Sequence, residues 1–240
     1  MNDNTVFRQT TAVSAIISTP LALLSTFISS YAVGFNFDLL DEPVGLITLG
    51  ARVAELFRWS WTLAAFGFYI LLVPATLYLK RWLNSQKPNL VRMATLFGLG
   101  YCFIGGISLI TMATVLSPLI RTYSNALGSQ GDILVVVFQV ISDLTFMGLG
   151  ALAFIFGGVW WLGIGLELRA KRRVLGITTL VLGIATLGSG LGYLFHIKPL
   201  ARLEMINYFL NPIWAAWVGI VILRRVEKGK LASKTQTSCS

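Results

Sequence analysis

Six ionisable residues stand out because they lie beside or inside long apolar stretches, where a charged side chain is costly and points to a function. They are Arg52, Glu55, Arg58, Asp143, His196 and Glu204. A carboxylate in such a place can bind a cation or carry a proton, which is the role that we expect for Glu55 and Asp143. Arg52 would bind an anion or act as a counter-ion. The set predicts a ligand or ion cavity, with hydrated or paired helix ends as the alternative.

A polar stripe contains the first of these residues. Thr48, Arg52, Glu55, Trp59 and Thr62 follow one another at steps of four, three, four and three, which places them on one face of a helix. Arg52 and Glu55 are three residues apart and can pair. The segment 44–58 therefore either lies on the membrane surface or continues into the next apolar helix, with its polar stripe facing the interior of the bundle.

Other kinds of chemistry lack the residues that they need. His196 is the single histidine, so the chain cannot hold a haem between two of its own histidines. Ser189 and His196 are seven positions apart, about 10 Å along a helix, too far for a serine nucleophile and its base. The two cysteines, Cys102 and Cys239, form no metal-binding pattern. We expect no metal site, no catalytic residue and no covalent cofactor, and an enzyme is the least favoured class.

The elements that must position these residues are apolar helices. Hydrophobic residues make up 55% of the 240 positions and charged residues only 12%, about half the usual charged share. A membrane span needs about 20 mostly apolar residues. Six segments meet this requirement: 11–34, 61–79, 93–116, 143–167, 174–195 and 209–223. The sequence predicts an all-α polytopic membrane bundle that forms one domain over residues 1–240, with the first segment retained as a span rather than removed as a signal peptide.

Charge is distributed unevenly among the connections. The net charge is +9, and most basic residues lie in 1–10, 80–92, 167–173 and 224–240, which fall on one side of a six-span protein. The positive-inside rule then predicts that both termini are cytoplasmic, with a flexible basic tail at 226–240. Anionic lipid headgroups are the expected partners of this face, and nucleic acid is not. The length and the short loops suit a bacterial inner membrane.

The connections on the opposite side are longer. Each contains a segment that can form a helix, at 44–58, 132–143 and 198–207, so the chain divides into three hairpins with outer amphipathic segments. Between Ile133 and Leu166 there is no Lys or Arg, and a helix of that length measures about 50 Å, more than the hydrocarbon core of about 30 Å. This helix must protrude, bend or break near Asp143.

Three stretches carry a resemblance to a known family. They are Ala51 to Leu79 with its closing Leu-Tyr-Leu, Leu175 to Tyr193, and the sequence AAWVGIVILRR at 215–225. In these stretches the chain resembles bacterial multi-pass membrane proteins that are catalogued only as a domain of unknown function. The resemblance implies the six-helix architecture, and it implies no activity and no site residue.

Two classes of function remain open from the sequence. The first is a transporter-like or sensor protein that binds or moves a small molecule, lipid or ion through an outward-facing polar cavity. The second is a non-catalytic accessory or assembly subunit of a larger membrane complex, with a smooth, glycine-rich surface that contacts lipid or a partner. A membrane protein partner or a homo-oligomer is compatible with either class.

Overall fold

The computed structural model of this chain describes residues 3–36, 39, 43–83 and 87–237, and it contains helices and no strand within these residues. The helices are α1 (Asp3–Ala32), α2 (Pro43–Ile47), α3 (Ala51–Trp82), α4 (Pro88–Tyr123), α5 (Ser129–Lys171), α6 (Arg173–Leu194), α7 (Lys198–Ala201) and α8 (Glu204–Thr237). Helix α8 continues through most of the segment expected as a tail, and residues 238–240 lie outside the described part. The acidic residues Asp38, Asp41 and Glu42 of the first long connection also lie outside it.

Six of these units are long and apolar enough to cross a membrane: α1, α3, α4, α5, α6, and α7 together with the first part of α8. The prediction of an all-α bundle with six spans is confirmed. Lys171 donates a hydrogen bond to the Trp82 carbonyl at 3.1 Å, and the Arg81 guanidinium lies 4.8 Å from the ring centre of Phe7. These contacts bring the basic residues of several connections to one end of the bundle, which we call the basic end. The opposite end is called the distal end.

Three of the spans change their helical register without ending. Helix α3 widens to a π-helix at Ala65–Tyr69 and tightens to a 3₁₀-helix at Ile70–Leu72, just before Pro74. Helices α4 and α5 contain π-helical segments at Met112–Leu116 and Asp143–Gly150. Side chains from other helices donate hydrogen bonds to backbone carbonyls at two of these places. The Ser14 hydroxyl donates to the Leu71 carbonyl at 2.6 Å, and the Ser108 hydroxyl donates to the Thr145 carbonyl at 2.9 Å. The sequence predicted that α5 protrudes, bends or breaks near Asp143, and the structure shows one continuous helix with a change of register at that point.

Close contacts between helices depend on small side chains. A Cβ atom added to Gly158 of α5 would lie 2.5 Å from the Cβ of Leu187 on α6, so only glycine permits this approach. The pairing of α1 with α8 is fixed by a polar contact as well, since the Thr19 hydroxyl donates to the Pro212 carbonyl at 3.0 Å. The membrane helices therefore assemble through shape and through hydrogen bonds between spans.

Two separate groups of buried side chains hold the bundle together. The central core lies among the spans and includes Leu72, Tyr101, Trp160, Trp161 and Trp214. The distal core is formed by α2, the first turns of α3, and the adjoining parts of α4 and α5, and its large buried members are Leu46, Ile47, Phe57, Trp61, Met112 and Phe138. The bundle thus has a second packed layer beyond the ends of its shorter spans.

The structure of the distal layer shows whether the segments before α3 and α5 are separate helices or extend the spans that follow them. Gly50 has a φ of +90°, which favours glycine, and it separates the short α2 from α3. From Ala51 onward the chain forms one helix with the following span, and residues 129–142 likewise extend α5. Arg52, Glu55 and Trp59 are exposed, whereas Phe57 and Trp61 are buried. The polar stripe of α3 therefore faces away from the bundle interior.

Candidate functional site

The ionisable residues of the α3 stripe form an exposed ion cluster. Glu55 lies 3.8 Å from Arg58 and 3.9 Å from Arg121, which belongs to the distal end of α4. Their side-chain exposures are 49% to 69%, so the bundle does not bury these charges. Arg52 is also exposed on α3, one turn before Glu55. The sequence predicted that Glu55 can pair with Arg52, whereas the ion pairs among the described residues join Glu55 to Arg58 and to Arg121, which the sequence did not single out.

The other predicted residues lie apart from this cluster. Asp143 is exposed at the first residue of the π-helical segment of α5. His196 is exposed just after α6, with a positive φ of 55°. The side chains of Asp143 and His196 make no hydrogen bond or ion pair within the described residues. Glu204 begins α8 and accepts a hydrogen bond from the Tyr208 hydroxyl at 3.3 Å.

Glu204 is the first residue of a polar face that descends into the bundle along α8. Glu204, Asn207, Asn211 and Trp214 follow at steps of three, four and three, so they share one side of the helix. Glu204 is half-buried at the distal end, and the three residues below it are buried. We call these four residues the α8 polar face. It is the deepest polar feature that connects the distal end with the centre of the bundle.

Side chains from three other spans meet the α8 polar face. Asn211 donates a hydrogen bond from its amide nitrogen to the Tyr101 hydroxyl at 3.1 Å. The Tyr101 ring lies 4.7 Å from the ring of Tyr69, and their hydroxyl groups interact. The Trp214 indole donates to the Thr179 hydroxyl at 2.8 Å. Spans α3, α4 and α6 are thereby joined to α8 by buried polar contacts.

Below Asn211 the site is closed by aromatic rings. Trp160 and Trp161 lie with ring centres 5.0 Å apart, and each meets Trp214 edge-on at 5.7 and 5.9 Å. Tyr101 packs on Trp161 at 4.9 Å. Asn211 precedes the basic Arg224 by 13 residues, which corresponds to about 20 Å of helix. The cluster therefore lies well inside a hydrocarbon core of about 30 Å.

Three polar atoms around this cluster have no hydrogen-bond partner. They are the indole nitrogens of Trp160 and Trp161 and the side-chain oxygen of Asn207. Asn207 lies one turn above Asn211, and the two indoles contact Trp214 one turn below it. The residues that carry these atoms are thus neighbours of Asn211 or Tyr101. A buried donor or acceptor without a partner costs about 1–3 kcal/mol, so a native structure that retains several of them in one place calls for an explanation.

The interior of the bundle is polar without being charged. The buried polar side chains among the described residues are serine, threonine and asparagine, and no charged residue is fully buried there. Within the same residues, no group of three His, Cys, Asp or Glu side chains comes together as a metal site would require. This interior suits hydrogen bonding to a neutral group better than it suits an ion.

Sequence reasoning missed the α8 polar face for a definable reason. The apolar pattern places the last span at 209–223, with Asn211 and Pro212 in its first turn, whereas the helix begins at Glu204. The steps of three and four from Glu204 to Trp214 were available as a signal. Tyr101, Trp160 and Trp161 carried no such signal, because each lies within an almost uniformly apolar run.

Comparison with known proteins gives one match. The model of a family described as "Domain of unknown function (DUF4386)" matches residues 18–223. This range includes the second half of α1, the other five spans almost in full, and the whole α8 polar face. No curated protein and no solved structure matches the chain.

Proposed function

We propose that this chain, which belongs to the DUF4386 family, binds a small uncharged molecule at the α8 polar face. The observation that carries this proposal is the group of buried atoms without partners, Trp160 Nε1, Trp161 Nε1 and Asn207 Oδ1, around the Asn211–Tyr101 bond. A bound molecule would complete the hydrogen bonding of these atoms and offset the free energy that they cost.

The chemistry of the face describes the molecule that it fits. Two indole N–H groups require acceptor atoms, and the Asn207 oxygen requires a donor. Trp160, Trp161 and Tyr101 offer ring surfaces that match an apolar or aromatic body. An ion would find no buried counter-charge among the described residues. The favoured ligand is therefore neutral and amphipathic, with both acceptor and donor atoms.

The position of the α8 polar face also favours entry of the ligand from the distal end of the bundle. Glu204 is half-buried at that end, and polar side chains follow at each turn of α8 down to Asn211. Beyond Asn211, the packed rings of Trp160, Trp161 and Trp214 separate the face from the basic end. This one-sided arrangement favours a receptor or the outward-facing state of a carrier over an open channel.

The distribution of basic residues predicts the orientation of the chain in its membrane. We place the basic end and both termini in the cytoplasm and the distal end outside a bacterial inner membrane, on the basis of the basic connections. A reporter fused after Ser240 should then be cytoplasmic, and a reporter signal from the outer side would reverse the direction of ligand entry.

The accessory-subunit alternative rests on a smooth glycine surface. Gly157 and Gly158 of α5 approach Tyr101 and Leu187 of neighbouring helices, and Gly188 and Gly192 of α6 approach Leu203 and Ala201 of the same bundle. Since these glycines serve internal packing, ligand binding is the first proposal.

Native mass spectrometry of protein extracted gently from its own membrane tests the proposal. We expect a bound small molecule on the wild-type chain and its loss in Asn207→Leu, which removes the acceptor without changing the size of the side chain much. Thr186→Val is the matched control, because this buried hydroxyl bonds only to the Leu182 carbonyl of its own helix at 2.7 Å. A chain that carries no small molecule, or one that Asn207→Leu and Thr186→Val retain equally, would refute binding at this face.

A further inference from the structure

The helices that lead from the central core into the distal core are each interrupted on the way. The distal core takes residues from α1, α3, α4 and α5. The interruptions are Pro20 of α1 and the π- and 3₁₀-helical segments 65–72 of α3, 112–116 of α4 and 143–150 of α5. Within the described residues, α6 and α8 add no side chain to the distal core, and α6 is α-helical from Arg173 to Leu194. The interruptions therefore lie in the helices that connect the two cores.

The interruptions weaken the helices that contain them. Proline has no backbone N–H and so removes one helical hydrogen bond. Pro20 does this inside α1, and Pro74 and Pro118 do so at the ends of the interrupted segments of α3 and α4. A 3₁₀ stretch inside a helix often marks a hinge, and π segments are frequent places of bending. These helices can therefore bend here at a lower cost than elsewhere.

The interruptions of neighbouring helices adjoin one another. A Cβ atom added to Gly67 in the α3 segment would lie 2.4 Å from the backbone nitrogen of Ala22, two residues after Pro20 of α1. Ser108, one turn before the π segment of α4, donates to the Thr145 carbonyl within the π segment of α5 at 2.9 Å. Helices α1 and α3, and likewise α4 and α5, can thus bend as pairs.

Helices α6 and α8 are packed against the parts that lie on the basic side of the interruptions. A Cβ atom added to Gly219 of α8 would lie 2.8 Å from Cγ1 of Ile16, which precedes Pro20 in α1. A Cβ atom added to Gly190 of α6 would lie 2.9 Å from the carbonyl oxygen of Ala151, the first residue after the π segment of α5. Both helices are therefore fixed to the basic side of the bundle, and not to the distal core.

The α8 polar face lies beside the interrupted segment of α3. The Phe68 ring of this segment meets the Tyr208 ring of α8 edge-on, with ring centres 6.0 Å apart. Asn207, next to Tyr208, is 3% exposed, and Trp160 and Trp161 are fully buried. A molecule from outside can therefore reach these side chains only when α8 and its neighbours separate.

We infer that the distal layer moves as one unit against α6 and α8, about a hinge formed by the four interruptions, and that this movement opens and closes the α8 polar face. The inference rests on the proposed function for the purpose of the movement. Because each core has its own set of buried side chains, the movement changes the backbone at the hinge and leaves both cores packed. Hinges of this kind need only a few residues that absorb the change.

The rate of cysteine modification at the α8 polar face tests the inference. Asn207→Cys is placed in a Cys239→Ser chain in lipid nanodiscs, and the reaction of its thiol with N-ethylmaleimide is followed by peptide mass spectrometry, which separates it from the buried Cys102. Maleimide reacts with the thiolate, which buried apolar surroundings disfavour. The rate therefore reports how often the face opens.

Replacement of the hinge prolines should slow this reaction. Pro20→Ala, Pro74→Ala and Pro118→Ala together restore the missing N–H groups of three helices, and modification at position 207 should become several times slower. Pro88→Ala is the matched control, because Pro88 begins α4 at the basic end, where a proline removes no helical hydrogen bond. A thiol that never reacts, a rate that the three substitutions leave unchanged, or an equal effect of Pro88→Ala would overturn the inference.

A second measurement uses exposed positions and the natural prolines, so it does not depend on the folding of the triple variant. Pulsed electron paramagnetic resonance gives the distances between spin labels at Val136 and Leu194 of the distal end, and at Met93 and Val174 of the basic end. The distal pair should show a broader distribution of distances than the basic pair. Distributions of equal width would contradict a moving distal layer.

Both measurements are made without a ligand, so the hinge and the proposed function can fail separately. Opening that depends on the prolines, in a chain that carries no small molecule in native mass spectrometry, would refute ligand binding and leave the hinge. A bound molecule that Asn207→Leu removes, in a chain whose opening does not depend on the prolines, would refute the hinge and leave ligand binding.

Discussion

The central core and the distal core are built in one chain for two different solvents. Around the central core is hydrocarbon, so burial of apolar side chains provides little driving force, and association depends on close packing and hydrogen bonds between spans. Accordingly, it contains the Asn211–Tyr101 and Trp214–Thr179 bonds. The distal core adjoins the exposed cluster of Glu55, Arg58 and Arg121, whose charges would be costly in hydrocarbon. It consists of aliphatic and aromatic side chains such as Phe57 stacked on Trp61 at 4.9 Å. Transfer from water can stabilise it as in a soluble protein.

The difference shows where stability and function reside. Polar atoms without partners occur in both layers, since the Ser117 and Ser142 hydroxyls lie buried beside the distal core. In the central core, however, such atoms belong to Asn207, Trp160 and Trp161, which neighbour the residues of the Asn211–Tyr101 hydrogen bond. The distal layer holds the ends of α3, α4 and α5 together, and the central layer carries the polar groups that can bind something. Substitutions in the two layers should therefore have different effects.

The largest effect is expected from Phe57→Ala in the distal core. Phe57 is fully buried, and removal of such a ring costs about 3–5 kcal/mol. Hydrogen exchange should show faster exchange of backbone amides in the distal parts of α3, α4 and α5, while α6 and α8 keep their protection. Phe103→Ala, at an exposed residue of α4, is the control with little expected change. Equal loss of protection in α6 and α8 would show that the two cores unfold as one.

A smaller loss is expected from Asn211→Leu in the central core. The change removes the donor to the Tyr101 hydroxyl and should lower the free energy of unfolding by about 1–3 kcal/mol. Thermal unfolding in detergent measures it. The double variant Asn211→Leu with Tyr101→Phe should lose less than the sum of the two single changes, because both remove the same bond. Additive losses would show that the bond does not contribute.

A gain of about 1 kcal/mol is expected from Asn207→Leu in ligand-free protein, because it removes a buried acceptor that has no partner. The two asparagines lie one turn apart on the same helix, so opposite signs for Asn207→Leu and Asn211→Leu would separate an unfilled site from a structural bond. If thermal unfolding shows that both substitutions destabilise the protein equally, Asn207 has a structural role.

The smallest effect is expected from Glu55→Gln in the distal layer. The ion pairs of Glu55 with Arg58 and Arg121 are exposed, and pairs of this kind contribute less than about 1 kcal/mol. The melting temperature should change little, and the change should diminish further as salt is added. If Glu55→Gln lowers the free energy of unfolding as much as Asn211→Leu does, or abolishes binding of the small molecule, the functional site is the exposed ion cluster.

Length and charge were sufficient to predict the spans, because hydrocarbon imposes a simple requirement on each of them. The excess length of α5 predicted that this helix protrudes, bends or breaks near Asp143, and in the structure it is one continuous helix that changes register there. The direction of the α3 stripe could not be predicted, since Thr48 belongs to another element beyond Gly50 and the remaining residues suit water as well as a polar interior. The pairing of Asn211 with Tyr101 joins residues 110 positions apart and depends on packing that no local pattern encodes.

The length of α5 has a consequence for the biosynthesis of the protein. This helix has 43 residues, and an insertion machinery that requires about 20 apolar residues finds more than one window in it that can be threaded into the bilayer. The basic residues Arg169, Lys171, Arg172 and Arg173 lie only at the end of its last window, and by the positive-inside rule we expect them to hold that end in the cytoplasm. Replacement of these residues by glutamine would let the nascent helix settle several turns out of register. The hairpin of α4 and α5 would then form only after α5 had moved along its axis to its native position in the bilayer.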